Sequence, residues 1–170
     1  MTSDRRGVAV ARAMLRTTLG TVFIAHGWRH ARSLDGTARW FESIGFRQPR
    51  TQAMASGAVE LASGTALVVG AATPLAASAV VGTMTVAART VHRQNGFFVV
   101  DEGYEYVVIL AAAALALAAL GPGRFSVDRA LNVDELVGSV PRVAVAASGV
   151  LGALVQLRLF WTRPLRPVAT

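Results

Sequence analysis

The side chains of this sequence able to do chemistry are few and stand in apolar company. Arg16 and His26 lie in one apolar block, Glu60 in a second, Arg89 and His92 at the end of a third, and Glu105 with Tyr106 at the start of a fourth. Ionisable and imidazole groups within an apolar medium are expensive unless they are paired or hydrated, so each marks a candidate site. A carboxylate at depth can titrate or accept a hydrogen bond from a ligand. A neutral imidazole can donate to a carbonyl, and it changes charge near about pH 6.5. Glu60, His26 and His92 are therefore the candidate catalytic groups. The densest stretch is Arg89 to Tyr106, RTVHRQNGFFVVDEGYEY, in which Phe97 and Phe98 adjoin imidazole, carboxylates, amides and phenols. An aromatic wall with a few convergent polar groups suits a planar amphipathic ligand such as a quinone headgroup, which makes Arg16, Arg89, Phe97, Phe98, Glu105 and Tyr106 candidate binding residues. The competing reading of that stretch is an interfacial aromatic belt with snorkelling charges.

These groups must be positioned by the apolar blocks that carry them. Five blocks are long enough to approach the roughly 20 residues that a spanning helix needs. They run from about Val8 to Trp28, Gln52 to Ala72, Pro74 to His92, Tyr104 to Leu120 and Pro141 to Trp161. Thr73 and Pro74 make the second and third an antiparallel hairpin with almost no exposed connection. A soluble bundle would show a polar stripe on each helix, yet Val107 to Leu120 (VVILAAAALALAAL) has no polar side chain on any face. Lipid is the simpler solvent. Between the first two blocks, Leu34 to Phe46 spaces Thr37, Trp40, Phe41 and Ile44 as a short helix lying in the headgroup layer would. Between the last two, Gly121 to Val140 opens with GPGRFSVD, a helix stop and a polar turn outside the hydrocarbon.

If the helices alternate in direction, the end of block one, the start of block two, the end of block three and the start of block four share a membrane side. At about 1.5 Å rise per residue, His26 lies about 3 Å inside that boundary, Glu60 about 12 Å and Arg16 about 18 Å. An Arg side chain spans the remaining gap, so Arg16 and Glu60 are expected to interact directly or through water. Such a pair either locks helices one and two together or keeps Glu60 ionised in a polar pocket. Gly57 and Gly64, seven residues apart, read as close-packing positions.

Composition narrows the classes further. Of 170 residues, 53% are hydrophobic and 16% charged, and there is no Cys, which excludes disulfide scaffolds, thiolate metal centres and thiol catalysis. The net charge of +7 comes from 17 basic residues, all Arg, against 10 acidic ones. The arginines cluster between the apolar blocks, with Arg163 and Arg166 in a basic tail, where they meet lipid phosphates; this placement argues against nucleic-acid binding. His26 and His30 share a helix face and His92 can approach them, but all three lie near the rim, so no metal or haem site is read. Arg12 and Arg16 interrupt the first block and no convincing cleavage site follows it, so that block is expected to remain in the mature protein.

The order LRTTLGTVFIAHG, then GAVELASGTALVVGAATPLAA, a Met-containing third helix ending in HRQNGFF, then GYEY and GPGRFSVD resembles the DoxX family of small bacterial integral membrane proteins over roughly residues 12–128. The resemblance implies a four-helix membrane bundle. It also implies kinship with proteins that serve as the membrane subunit of thiosulfate:quinone oxidoreductase or associate with membrane redox complexes. By resemblance, Arg16, His26, Gly27, Glu60, Leu61, His92, Glu105 and Tyr106 occupy the family's characteristic positions. The sequence departs from the pattern in Trp28, Arg29 and His30, where a Lys often follows the HG pair, and in its fifth block. The expected protein is an all-α integral membrane bundle of the bacterial plasma membrane, crossing it several times. Residues 1–128 would form four DoxX-like transmembrane helices, and residues 129–170 a connector and a fifth spanning helix with a basic tail. Its expected function is that of a membrane subunit of a quinone-linked redox system, in contact with lipid and with a larger membrane complex or a second copy. The alternative is a non-catalytic accessory or assembly subunit.

Overall fold

The computed structural model describes residues 3–135 and 138–164; Arg166 of the basic tail lies outside them. The helices are α1 (Ser3–Arg32), α2 (Leu34–Ser43), α3 (Pro49–Val69), α4 (Thr73–Thr90), α5 (Glu105–Leu120), α6 (Val127–Ala130), α7 (Ser139–Ala147) and α8 (Gly149–Phe160). Among the described residues there is no β-strand, only an isolated antiparallel bridge between Phe46 and Trp161.

Proline and glycine set several of these boundaries. Pro49 opens α3, where its missing N–H is no loss, and Gly70 closes it at φ 69°, a left-handed conformation that glycine adopts without strain. The first apolar block understates its helix at both ends, because arginine is a good helix former: hydropathy reports where lipid can touch, not where the helix stops. The third block overstates its helix. α4 ends at Thr90, and His92 begins a short 3-10 turn, His92–Asn95. The fifth block is divided at Ser148 into α7 and α8, and a Cβ on the following Gly149 would stand 2.9 Å from the Gly82 nitrogen of α4.

The α3–α4 hairpin turns through Gly70, Ala71 and Ala72, and its backbone is satisfied by Asp128. That buried carboxylate accepts from the N–H of Ala72 at 2.7 Å and of Thr73 at 2.9 Å, while its own N–H donates to the Gly70 carbonyl at 2.9 Å. It caps the start of α4, where the orphan donors and the helix dipole both favour an anion. Asp128→Ala is expected to lower stability by about 2 kcal/mol, read as an earlier thermal unfolding transition in detergent with helix content unchanged below it.

α1 lies along α3, α3 along α4, α4 along α5, and α5 returns to α1, so these four helices close a ring around Leu19, Phe23, Leu67, Val80 and Leu117. α7 and α8 pack outside it on α4, with α7 also touching α5. α2 lies on α3, and Phe41, Phe46, Ala53 and Leu157 form a second small core under it. The α1–α3 contact is close because glycines face each other: a Cβ on Gly20 would come within 2.6 Å of the Gly64 carbonyl oxygen, and one on Gly27 within 2.8 Å of the Leu61 nitrogen. Two helical segments, Arg6–Arg32 and the α7–α8 rod Ser139–Phe160, are long and apolar enough to cross a bilayer, and α5 is a shorter apolar helix. The outward side chains of the bundle include Met14, Leu75, Val108, Ile109, Leu151 and Val155, an apolar exterior that suits lipid.

Candidate functional site

A cavity of about 200 Å³ lies inside one end of the bundle, under α2. α1 contributes Phe23, His26 and His30 to its wall; α3 contributes Ser56 and Glu60; α4 contributes Met84, Val86 and Thr90. His92 and Tyr106 approach from the turn after α4 and the start of α5. α2 and the residues after it close the cavity with Trp40, Phe41 and Phe46. These rings pack on one another, Trp40 against Phe41 at 5.3 Å and Phe41 against Phe46 at 5.0 Å between centroids. The site is thus apolar and aromatic on most sides, with a few polar groups converging from separate helices.

Its polar centre is Glu60, only 5% exposed. Ser56, one turn earlier on the same face of α3, donates its hydroxyl to Glu60 Oε1 at 2.9 Å. His30 Nδ1 lies 3.4 Å from Ser56 Oγ and 3.4 Å from Glu60 Oε2. Since the serine hydrogen points to the carboxylate, the imidazole must supply the hydrogen in any bond with Ser56. His30 crosses α3 beside Gly57, where even an added Cβ would stand 3.4 Å from the His30 Cβ. Glu60 Oε2 is buried and makes no hydrogen bond. A buried oxygen left without a donor is costly, which makes it the natural acceptor or, once protonated, donor for a bound ligand. At the rim, His92 Nδ1 lies 2.6 Å from the carbonyl oxygen of Glu102. A carbonyl only accepts, so Nδ1 carries the hydrogen and Nε2 of the neutral ring is left as an acceptor.

The bundle therefore brings together His26, Glu60, His92 and Tyr106 in one cavity wall. It does not bring the other sequence candidates there. Arg16 and Glu60 do not form the expected pair: the buried Arg16 guanidinium donates instead to the carbonyls of Pro122 at 2.7 Å, Phe125 at 2.7 Å and Val68 at 3.3 Å, at the opposite end of the ring. The expected Phe97–Phe98 wall is not the wall of this cavity. Both rings are exposed on the loop before α5, where Phe97 packs on Phe98 at 5.4 Å and on Tyr104 at 5.5 Å. Glu105 accepts from the Val99 N–H at 3.0 Å within that loop, and Arg89 is exposed outside the cavity. Among the described residues no three His, Cys, Asp or Glu side chains are grouped so as to hold a metal ion. His30, Ser56 and the α2 aromatics were the groups that sequence reasoning did not assign to the site. Four-residue spacing was the available signal for two of them, His26 to His30 and Ser56 to Glu60.

The DoxX family model matches residues 11–93, a segment holding most of α1, all of α2 to α4 and every polar group of the cavity except Tyr106. This match supports a DoxX assignment. It points to a membrane protein, in agreement with the apolar exterior and the two membrane-length helical segments. The matched DoxX segment ends at Arg93, so Arg16, His26, Glu60 and His92 all fall within it. Comparison with curated proteins and with solved structures returns no match.

Proposed function

We propose that this DoxX protein is the membrane subunit of a quinone-linked redox system and binds the quinone head in the cavity around Glu60. The observation that carries the reading is the buried Glu60 Oε2, without a hydrogen bond, in an aromatic-walled cavity of a membrane protein. A protonated Glu60 would donate to a quinone carbonyl, and an ionised Glu60 would accept from a quinol hydroxyl, so one side chain serves both redox forms. His92, with Nδ1 committed to the Glu102 carbonyl, would take up a proton on Nε2 at the rim and pass it to the quinone as it is reduced. Reduction of a quinone consumes two electrons and two protons. Glu60 and His92 would supply the two protons, and the two electrons would come from a partner subunit or from its substrate. In this reading the four ring helices and the α7–α8 rod all cross the bacterial plasma membrane. A larger membrane complex or a second copy would be met at the bundle exterior.

A second reading is favoured by the loop before α5, where Phe97, Phe98, Val99 and Val100 are all exposed and Val100 is 87% so. Such a patch fits an accessory subunit that docks on a membrane complex. The two readings separate on the cavity. In nanodiscs, a quinone bearing a single isoprenoid unit is expected to quench tryptophan fluorescence saturably, and Trp40→Phe to remove the saturable part. Glu60→Leu is expected to weaken binding about tenfold or more. Glu60→Gln is expected to retain most of the affinity and lose the proton uptake that accompanies reduction. Quenching that never saturates, or that ignores Glu60→Leu, overturns the quinone reading in favour of the accessory one.

A further inference from the structure

The cavity around Glu60 adjoins a second space on the outside of the bundle. A groove of about 590 Å³ runs between α3, α4 and α8, and Phe41, Ser56, Thr83 and Val86 belong to the walls of both. Most of the groove lining is small or apolar: Ala55 and Val59 of α3, Ser78 and Ala79 of α4, Gly152 and Ala153 of α8. Gln156 donates to Gln52 at 2.9 Å across it, tying α8 to α3. Where α4 and α8 cross, Gly82 and Gly149 let the backbones meet, since a Cβ on Gly82 would stand 3.1 Å from the Gly149 carbonyl oxygen. Gly152 is different. A Cβ there would meet nothing within 4 Å, so the groove is open at that point.

Resting on the quinone reading above, we propose that this groove holds the isoprenoid chain of the quinone whose head contacts Glu60. The inner cavity, at about 200 Å³, is below the roughly 300–1,000 Å³ of pockets that enclose whole drug-sized ligands, so a long-chain ligand must extend beyond it. In this proposal the chain passes the shared walls, Phe41, Ser56, Thr83 and Val86, toward the face that α8 presents. Charge selects against a phospholipid in the same place: no arginine lines either space, and the buried group beside the throat is the Glu60 carboxyl, which disfavours a phosphate. An uncharged head on a single chain fits both. The fifth apolar block, which lies beyond the matched family segment, thereby supplies one wall of the chain path.

The test uses a long-chain quinone carrying a photoreactive diazirine on its third isoprenoid unit, with the full-length protein in nanodiscs of zwitterionic phospholipid. Crosslinks are expected on α8 near Gly152 and on the facing residues of α3 and α4, and an excess of unlabelled long-chain quinone is expected to remove them. Gly152→Leu fills the opening without touching the head cavity. It is expected to reduce these crosslinks about tenfold while the one-unit quinone still quenches Trp40 with unchanged affinity. Saturable Trp40 quenching with crosslinks on the outer faces of α1 or α5, or crosslinks that no competitor removes, would overturn the groove and leave the head site standing. No saturable quenching by the one-unit quinone would overturn both. The crosslink map of the unsubstituted chain decides the question even if Gly152→Leu fails to fold.

Discussion

Replacing Arg16 with methionine is expected to lower the stability of the protein by about 3–5 kcal/mol, the largest loss anticipated for any single polar side chain in the bundle. Arg16 is 5% exposed, and its guanidinium gives hydrogen bonds to Pro122 and Phe125 in the α5–α6 connection and to Val68 at the end of α3. Methionine keeps the unbranched apolar stem, ends short of the guanidinium, and leaves three carbonyl oxygens without that donor, each worth about 1–3 kcal/mol when buried unsatisfied. Arg16→Lys is expected to recover part of the loss, because an ammonium has three donors but cannot spread them as the planar fork does. Unfolding in mixed micelles gives the free energies. The same measurement on a double-mutant cycle with Glu60→Leu should give a coupling below about 0.5 kcal/mol, the additivity expected of groups that do not meet. A coupling of several times that size would restore the Arg16–Glu60 pair.

The failure of that pair shows what sequence could and could not deliver here. Helix order, the alternation of direction and the convergence of His26, Glu60, His92 and Tyr106 at one end were all legible, because hydrophobic blocks and rise per residue locate a group along the helix axis. The register between two helices was not, because it is set by side-chain fit. Gly20 faces Gly64 and Gly27 faces Gly57, an antiparallel register that sets Val68 across from Arg16 and Ile24 across from Glu60. Arg16 and Ile24 are about 12 Å apart along α1. Depth counted from the apolar block ends hid this, since α1 continues to Arg32, a full turn past Trp28. The aromatic wall was misplaced for a related reason. Phe97 and Phe98 are adjacent in the richest stretch of sequence, but that stretch is a loop outside the ring. The rings that close the cavity belong to α2, whose amphipathic pattern was read as lying on lipid. Phe41 is instead buried against α3 and α8, and the chain after α8 fastens this cover: the Trp161 indole N–H donates to the Ile44 carbonyl at 2.7 Å, and the Thr162 N–H to that of Gly45 at 2.9 Å. Only tertiary contact with a segment more than a hundred residues away distinguishes the two placements.

The same register makes unequal two glycines that the sequence presents as a matched pair. A Cβ on Gly64 would lie 2.7 Å from the Gly20 carbonyl oxygen and 2.8 Å from the Ile24 nitrogen, both backbone atoms that cannot turn aside. A Cβ on Gly57 would meet first the His30 Cβ at 3.4 Å, an ordinary contact. Gly64→Ala is therefore expected to force α1 away from α3 and destabilise by about 3 kcal/mol or more. Gly57→Ala should change stability by less than about 1 kcal/mol, with the better helix propensity of alanine offsetting the tighter contact. The site reports the difference independently of stability. α1 carries His26 and His30, so its displacement by Gly64→Ala would widen the gap between His30 and Glu60 and weaken saturable quenching of Trp40 by the short-chain quinone, while Gly57→Ala leaves that binding near its original strength. Equal tolerance of both substitutions would mean that the glycine seam does not fix the spacing of α1 and α3, and with it the geometry on which the Glu60 cavity depends.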